Sequence, residues 1–562
     1  MEDEQQLTVG NRLRSVVRQI VTIAALPVLV MLLIDQPDEP VFGGDANRHV
    51  MTSVFFSDLI VDGRFTDPKT YAEDYFDQYP ALSLLHFPPL FHGVVGGLMS
   101  IFGTSVMVAR VFNFACFVTS CWLLYLLVRR RNSAELSQVA VTLFALMPMT
   151  LDYSRYVMLE MPTLVLCLLC VERFDVWLRG RSTRPLYVAA VAASLAALTR
   201  FDAIVLLPTL LLMAAFEGQA RRLFGRHVLA ASIVALILVS PTYGLIWYEK
   251  GDMHLRQAVE SVGGESSKFL TDGCWSFYPV STTEQAGWVI PLFACIGLLV
   301  CLFRGVRNSA PFLALLLATY LTFTPLAELR ARHAIYWLPA LAYFASIGIS
   351  AIIERLGRVE NTEATANAQW QKLVAACICY AAVFVGTTHA TLQHPAFVVS
   401  GYRHTADVVL QRTKAGDVVL VDAWWDGNFT YHMRHLDADR SRRIVRGDQI
   451  FYDFLSVPNI DFQAFVETDL DILKAIRDSN AMCVVFEDPQ PFGHIPLSQK
   501  FRQLVARHPR VFPPVEDVSV SLKFPQARPF ELRILDVNAD GLCELIEHME
   551  SKQAVNLDTK EN

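Results

Sequence analysis

Two acidic residues stand next to long apolar runs, where an ionisable group is costly and needs a reason. Asp45 follows the first apolar run and begins a stretch with helical spacing of apolar residues. It is either a reactive carboxylate on a helix along the membrane surface or an N-cap aspartate. Glu160 heads a later apolar run. It could bind a metal, orient a sugar or hold an acceptor, or it could be a helix-start acid favoured by the dipole.

Charged residues also stand between other apolar runs. Arg200 lies between two such runs and requires a partner, which could be Asp202 or the phosphate of a lipid. Asp152 and Arg155 lie shortly before Glu160, and the simplest interpretation is that they pair with each other. All four are candidates for substrate binding.

A third basic segment contains Arg330, Arg332 and His333. Arginine suits bidentate contact with a phosphate or diphosphate. The alternative is an ordinary polar turn. We therefore treat the three residues as candidates for substrate binding.

Together these residue types favour a reaction between a lipid phosphate and a second substrate. A carboxylate would deprotonate the acceptor hydroxyl or amine, and arginines would stabilise the departing phosphate. Phosphate is a good leaving group, so no nucleotide or redox cofactor is required. A bound divalent metal stays an open alternative.

The composition indicates a multi-pass α-helical membrane protein. The 562 residues are 53% hydrophobic and only 18% charged, and the net charge of −7 gives no reason to expect nucleic acid. The mean hydropathy is +0.34. Because a span needs about 20 apolar residues, we predict eleven spans. They lie near 15–34, 107–128, 135–151, 161–178, 185–200, 202–217, 228–247, 287–303, 311–326, 334–353 and 370–389.

Arginine clusters orient this map. They fall on alternate connections, which the positive-inside rule places in the cytoplasm together with residues 1–14. The candidate residues then all lie on the extracytoplasmic side. Loop 35–106 is predicted to lie there as part of a transmembrane domain over 15–390. Within that loop, we expect Pro88–Gly103 to form a juxtamembrane or re-entrant helix.

Residues 391–550 are predicted to form an extracytoplasmic α/β domain. Segments 417–422 and 482–487 have the length of strands, and 403–414, 466–479 and 497–507 have helical periodicity. Helices that alternate with strands are typical of this class. The polar end of the chain, 551–562, is predicted to be disordered.

The order and spacing of several short motifs give a resemblance over most of residues 15–390. The chain resembles the GT-C superfamily of glycosyltransferases that use polyprenyl-phosphate sugars, especially the branch of protein O-mannosyltransferases and the lipid A aminoarabinose transferase. The motifs are Gly44-Asp45, Tyr79-Pro80, His86-Phe87-Pro88-Pro89-Leu90, Phe102-Gly103, Ala109-Arg110, Tyr153-Ser154-Arg155, Leu159-Glu160-Met161-Pro162, Leu198-Thr199-Arg200-Phe201-Asp202, Arg332-His333 and Pro339-Ala340-Leu341.

The resemblance implies roles for individual residues. Asp45 matches the proposed general base, and Glu160 matches a second acid. The turn at 330–332 corresponds to binding of the carrier phosphate, and His86 becomes a further candidate for substrate binding. Many relatives have two adjacent acids in the first loop, whereas Ala46 follows Asp45 here, which leaves one candidate base and argues against a metal in that loop.

The function predicted from the sequence is therefore inverting sugar transfer from a polyprenyl-phosphate carrier at the extracytoplasmic face of the cell membrane. The enzyme would be a hexosyl- or pentosyltransferase, and its acceptor would be a protein, a lipid or a polysaccharide. Two alternatives stay open. One is a transporter or flippase without transferase chemistry, and the other is a non-catalytic membrane receptor.

Overall fold

The computed structural model describes residues 45–251, 272–326, 329–356, 365–393, 398–455, 461–490, 495–523 and 529–561. The predicted cytoplasmic tail 1–14 and first span 15–34 lie outside these residues. The chain divides into two compact units. The first unit contains Leu85–Phe91 and Arg110–Pro395, and the second contains 36–84, His92–Ala109 and Ala396–Asn562, each of them as far as the structure describes it.

Helices make up the described chain up to residue 393. They are α1 (Asp45–Val61), α2 (Pro68–Gln78), α3 (Leu90–Phe102), α4 (Val106–Arg129), α5 (Ala134–Leu146), α6 (Pro148–Arg155), α7 (Glu160–Arg179), α8 (Arg184–Ala197), α9 (Leu206–Phe216), α10 (Arg226–Lys250), α11 (Asp272–Ala286), α12 (Val289–Arg304), α13 (Ala310–Phe323), α14 (Leu338–Leu356) and α15 (Thr365–Gln393). Short 3₁₀ helices cover Phe201–Val205, Ala220–Phe224, Val306–Ser309 and Ala331–Trp337. Every apolar run predicted from residue 107 onward coincides with helix.

The predicted number of eleven spans is not confirmed. Within the described ranges, four helical segments are long and apolar enough to cross a membrane: Val106–Arg129, Arg226–Lys250, Ala331–Arg355 and Gln369–Gln393. A fifth arises if α5 and α6, bent by 66° where Pro148 begins the second helix, count as one span. Several other helices are shorter than the ~20 residues that cross the hydrocarbon core, so apolar composition alone does not establish that each of them is a span.

Glycines allow two helices of the first unit to pack closely. A Cβ on Gly297 of α12 would collide with the carbonyl oxygen of Phe344 on α14. A Cβ on Gly348 of α14 would collide with the carbonyl oxygen of Phe293 on α12. Reciprocal glycines let two backbones approach each other, as is common between membrane helices. The pair fixes α14, which directly follows the 3₁₀ helix Ala331–Trp337.

The segment Pro88–Gly103 contains a helix of 13 residues, α3, as the sequence predicted. One of its glycines permits close packing, because a Cβ on Gly96 would lie 2.6 Å from Cβ of Phe56 and 2.7 Å from the carbonyl oxygen of Ser53, both on α1. Nothing lies within 4 Å of a Cβ at Gly93 or Gly97. Of these three glycines, Gly96 is therefore the one whose missing side chain permits the close approach to α1.

The C-terminal part of the second unit is an α/β domain, as predicted. Its strands are β1 (Val398–Ser400), β2 (Val418–Asp422), β3 (Arg443–Arg446), β4 (Tyr452–Leu455), β5 (Asp461–Ala464), β6 (Ala481–Asp488), β7 (Pro514–Lys523) and β8 (Phe530–Asp536). Six of them form a sheet of order β1-β7-β8-β6-β2-β3. Strand β2 pairs in parallel with β3 and β6, whereas β8 runs antiparallel to β6 and β7.

Helices connect and flank these strands. They are α16 (Tyr402–Arg412), α17 (Asp426–Leu436), α18 (Gly447–Ile450), α19 (Asp469–Asp478), α20 (Pro496–Arg507) and α21 (Ala539–Glu561). The predicted strands and helices of this domain are all present. The described residues of 551–562 belong to α21, which continues to Glu561, and the disorder of this tail stays a prediction. Polar composition alone does not stop a helix whose earlier turns bury Leu542 and Ile546.

Loop 35–106 is grouped differently from our prediction. We assigned it to the transmembrane domain, whereas its described residues 45–84 and His92–Ala109 belong to the compact unit that contains the C-terminal domain. The physical reason is a set of long-range contacts, of which the ion pair between Asp58 and Arg434 is buried. Twelve of the seventeen residues of α1 are buried, including the polar Asn47, His49 and Asp58. Helix α1 is therefore largely enclosed by protein, and its position along the membrane surface stays a prediction.

Candidate active site

Glu160 is the centre of a buried ionic cluster in the first unit. It is the first residue of α7 and is fully buried. Its carboxylate forms an ion pair with the guanidinium of Arg200, and Oε1 lies 3.9 Å from Nε of Arg332. A carboxylate at a helix N-terminus is favoured by the dipole. The structure adds two guanidinium groups that the helix-start interpretation does not require.

Arg200 is held between two acids. It has extended backbone geometry between α8 and the 3₁₀ helix Phe201–Val205. Its Nε lies 2.7 Å from Oδ2 of Asp202, and its side chain is almost fully buried. Asp202 is thus the partner that the sequence offered as one alternative. The second acid, Glu160, leaves Arg200 bridging two carboxylates.

The 3₁₀ helix Ala331–Trp337 brings the third basic segment to this cluster. Gln285 anchors it from both ends, because its Nε2 donates to the carbonyl oxygen of Ala331 at 2.8 Å and its Oε1 accepts from Nε1 of Trp337 at 2.8 Å. This clamp orients the intervening residues. Arg332 is partly buried beside Glu160, whereas Arg330 is exposed at the start of the turn.

Two buried polar atoms of this turn remain available. Within the described chain, Nδ1 of His333 and the hydroxyl of Tyr336 have no hydrogen-bond partner. Tyr336 is fully buried. A buried polar group without a partner costs about 1–3 kcal/mol, so such groups are expected where a ligand supplies the missing bond. Tyr336 was not among the residues selected from the sequence, although it stands only three residues after His333.

Asp152 and Arg155 form an ion pair with each other, which confirms the simplest interpretation of these residues. The turn that follows is fixed by Asn113 of α4, a fully buried residue whose Nδ2 donates to the carbonyl oxygens of Tyr156 and, at 2.9 Å, Met158. The sequence did not select Asn113, because a single amide in an apolar run has no distinctive local pattern. It supports the chain that leads into Glu160.

His86 occupies an exposed turn in the first unit, and its ring contacts Phe87 edge-on with centroids 4.9 Å apart. The segment is attached to the Arg200 turn, since the amide of Leu90 donates to the carbonyl oxygen of Leu198 at 3.1 Å. This bond lies two residues from Arg200. The role of His86 in substrate binding stays a prediction.

Asp45 lies in the second unit. It occupies the first turn of α1 and is half-buried. Two residues later, Asn47 is buried against Gly427 of α17. Asp45 is thus on a firmly held helix, as a general base requires, and its catalytic role stays a prediction.

The described residues contain no group of three or more His, Cys, Asp or Glu side chains arranged to hold a metal ion. Glu160 and Asp202 are instead joined by a guanidinium. These residues do not fit a metal centre, and no chemical step is assigned to a metal here.

The comparisons with known proteins agree with this architecture. Residues 86–247 match the family model for dolichyl-phosphate-mannose-protein mannosyltransferases. Two crystal structures of ArnT from Cupriavidus metallidurans are similar. The form bound to undecaprenyl phosphate has a TM-score of 0.60 and 13% identity over 92% of this chain and 97% of that one. The apo form has a TM-score of 0.58 and 13% identity over 94% and 99%.

The chain has the GT-C glycosyltransferase fold. The oligosaccharyltransferase of Archaeoglobus fulgidus shares it, with a TM-score of 0.53 and 14% identity over 83% of this chain and 69% of that one. A search of the curated proteins finds no match. The resemblance read from the motifs is thereby confirmed, and Glu160 and Arg200 both lie inside the segment that matches the family model.

Proposed function

We propose that this GT-C protein is a glycosyltransferase that moves a sugar from a polyprenyl-phosphate carrier to an acceptor at the extracytoplasmic face of the membrane. The observation that carries the proposal is the buried cluster of Glu160, Arg200 and Arg332 in the first unit. The match of residues 86–247 to a lipid-phosphate-dependent mannosyltransferase family supports it. The similar ArnT structure bound to undecaprenyl phosphate supports the same class of donor.

The arginines would bind the carrier phosphate. Arg330 is exposed at the N-cap of the 3₁₀ helix Ala331–Trp337, and Arg332 is partly buried in its first turn. We expect both guanidinium groups to contact the phosphate. As the bond between sugar and phosphate breaks, negative charge grows on the departing oxygen. Guanidinium groups held in place stabilise that charge without reorganising. The hydroxyl of Tyr336 and Nδ1 of His333 could supply further hydrogen bonds.

Asp45 would act as the general base. It would remove the proton from the attacking acceptor group while that group displaces the phosphate directly at the anomeric carbon, which inverts the configuration. A positioned general base contributes about 10²- to 10⁴-fold to the rate. The acceptor would be a protein, a lipid or a growing polysaccharide, and the sugar a hexose or a pentose.

Incubation with a panel of polyprenyl-phosphate sugars, with release of carrier phosphate as the readout, tests the proposal. The wild-type chain should release phosphate from at least one donor in the presence of an acceptor. Asp45→Asn should lower the rate by about 10²-fold or more, since the amide cannot take a proton. The matched control is Asp67→Asn, because exposed Asp67 caps α2 and asparagine caps equally well.

A second variant separates phosphate binding from proton transfer. Arg200→Lys keeps the charge but replaces the planar guanidinium with a single ammonium group. That group cannot contact Glu160 and Asp202 through two different nitrogens, as arginine does. This variant should slow the release of carrier phosphate and raise the KM for the donor. Full activity of Asp45→Asn would reject Asp45 as the base. Movement of the lipid-linked sugar across the membrane without any release of phosphate would favour the flippase alternative.

A further inference from the structure

Helix α1 is docked onto α17 through a buried ion pair in the second unit. Arg434 donates to both carboxylate oxygens of Asp58, from Nε to Oδ2 at 2.9 Å and from Nη2 to Oδ1 at 2.6 Å. The hydroxyl of Tyr75 donates to Oδ2 at 2.7 Å, and Nη2 of Arg440 lies 3.0 Å from Oδ1. A bidentate pair specifies geometry as well as energy. This contact therefore sets both the distance and the rotation of the later turns of α1.

A second contact holds the first turns of α1. Gly427 lies against Asn47 so closely that a Cβ on the glycine would be 2.6 Å from both Cγ and Oδ1 of the asparagine. Asn47 is only 3% exposed, so it has little room to move aside. Only glycine permits this approach. The contact falls two residues after Asp45, at the end of the helix that carries the proposed base.

The C-terminal domain also holds the end of α2. The carbonyl oxygen of Pro80 accepts from Nη1 of Arg446 at 2.6 Å, and the carbonyl oxygen of Asp77 accepts from Nε of Arg443 at 3.0 Å. Nε2 of Gln78 donates to the carbonyl oxygen of Arg442 at 3.1 Å. The bonds to Pro80 and Asp77 reach backbone atoms of the loop, so they constrain the path of the loop itself.

We propose that the C-terminal domain positions Asp45, and that Gly427 and Arg434 are positioning residues that act through α1. The inference rests on the proposed function, in which Asp45 is the general base. Asn47 and Asp58 are eleven positions apart, which corresponds to ~16 Å of helix. Two contacts separated by that distance hold a rigid helix against sliding, tilting and rotation. The first turn, which bears Asp45, is therefore held in position by the same two contacts.

Gly427→Ala tests this inference in the full-length protein. The added Cβ should displace the first turns of α1, and a small misplacement of a catalytic group can cost about 10²-fold in rate. We expect kcat to fall roughly tenfold or more while KM for the polyprenyl-phosphate sugar stays unchanged. The matched control is Gly447→Ala, whose Cβ would be equally close, 2.6 Å, to Oδ1 of Asp422 inside the C-terminal domain. It should affect stability but not kcat.

A double-mutant cycle separates positioning from general destabilisation. In the Asp45→Asn background, Gly427→Ala should cause no further loss of the residual rate, because there is no base left to misplace. If Gly427→Ala does not fold, Arg434→Lys replaces it. That variant keeps the charge but loses the bidentate contact, and Arg477→Lys is its exposed control.

The outcomes are distinguishable. A kcat of Gly427→Ala or Arg434→Lys equal to that of its control, or a loss that simply multiplies with that of Asp45→Asn, would overturn the positioning role. In that case the proposed function would be unaffected, provided that Asp45→Asn is inactive by itself. If Asp45→Asn retains full activity, the role of the base in the proposed function fails first.

Discussion

Glu160 and Arg200 were selected for chemistry, and both also have structural partners. Arg200 contacts Asp202, which the sequence offered as a plain structural explanation, yet it also contacts Glu160 in the same buried cluster. The ion pair with Asp202 by itself would compensate for the cost of burying the charge of Arg200. The extra guanidinium of Arg332 beside Glu160 is the feature on which the proposed phosphate site rests.

Glu487 in the C-terminal domain is a buried acid with a marked pH dependence. Burial raises its pKa from 4.5 to about 7, although it accepts hydrogen bonds from the hydroxyl of Tyr402 at 2.6 Å and the amide of Trp424 at 2.8 Å. Between these pH values the folded state holds a proton that the unfolded state has lost. Stability should therefore fall as the pH rises from 4.5 to 7, by about 3 kcal/mol at most, and level off above that.

Glu487→Gln should remove this part of the pH dependence. Thermal unfolding of the full chain in detergent, followed between pH 5 and pH 8, is the measurement. The variant loses a constant amount of stability from its altered hydrogen bonds, so the difference between wild type and variant should shrink as the pH rises. A difference that stays the same over this range would contradict the assignment.

At the scale of elements, whether a segment forms a helix and where that helix packs are determined by different interactions. The apolar runs predict each helix of the first unit because helix formation depends on local sequence. The lateral position of a helix depends instead on what faces it. The reciprocal glycines Gly297 and Gly348 set the spacing of α12 and α14, and α14 in turn continues from the 3₁₀ helix that carries Arg332 and His333.

Gly348→Ala should separate α12 from α14, because its Cβ has no space beside the carbonyl oxygen of Phe293. We expect a lower yield of folded protein and a lower unfolding temperature, together with a raised KM for the donor as the Arg332 turn moves. Gly244→Ala is the control, since nothing lies within 4 Å of a Cβ at that helical position. Equal unfolding temperatures and equal KM values for the two variants would argue against this role of the glycine pair.

At the scale of the whole molecule, the division into units does not follow the order of the chain. The described residues of the first loop, 45–84 and His92–Ala109, belong with the C-terminal domain. The chain thus leaves and re-enters the second unit, and the helix with the proposed base is part of the same unit as the sheet. Deleting the C-terminal domain would consequently expose the buried Asp58 as an uncompensated charge.

The predicted orientation can be measured with the exposed cysteine of α21. Cys543 is exposed in the C-terminal domain, so a membrane-impermeant maleimide should label it in intact cells. Cys543→Ser should abolish that label. A cysteine introduced into this background at exposed Ser182, between α7 and α8, should react only after the membrane is permeabilised. The reverse pattern would invert the topology.

The sequence by itself predicted most helices up to residue 393, two strands and three helices of the C-terminal domain, and the side chains worth testing. Apolar runs, strand-length segments and helical periodicity are local properties, so the helices of the first unit and the α/β pattern of the second could be predicted. The candidates Glu160, Arg200, Asp202 and Arg332 stand out because charge beside an apolar run is expensive. The number of eleven spans stays a prediction, since apolar character does not report helix length.

Only the tertiary structure decided which of these residues meet. The contact of Glu160 with Arg332 and that of Asp58 with Arg434 join segments far apart in the chain. An ion pair between distant segments leaves no local pattern, because each partner alone resembles an ordinary surface charge. The same holds for Gly427 and Asn47, whose close approach depends on two helices being packed together. The sequence therefore identified Asp45 as a candidate base, and the fold showed what holds its helix.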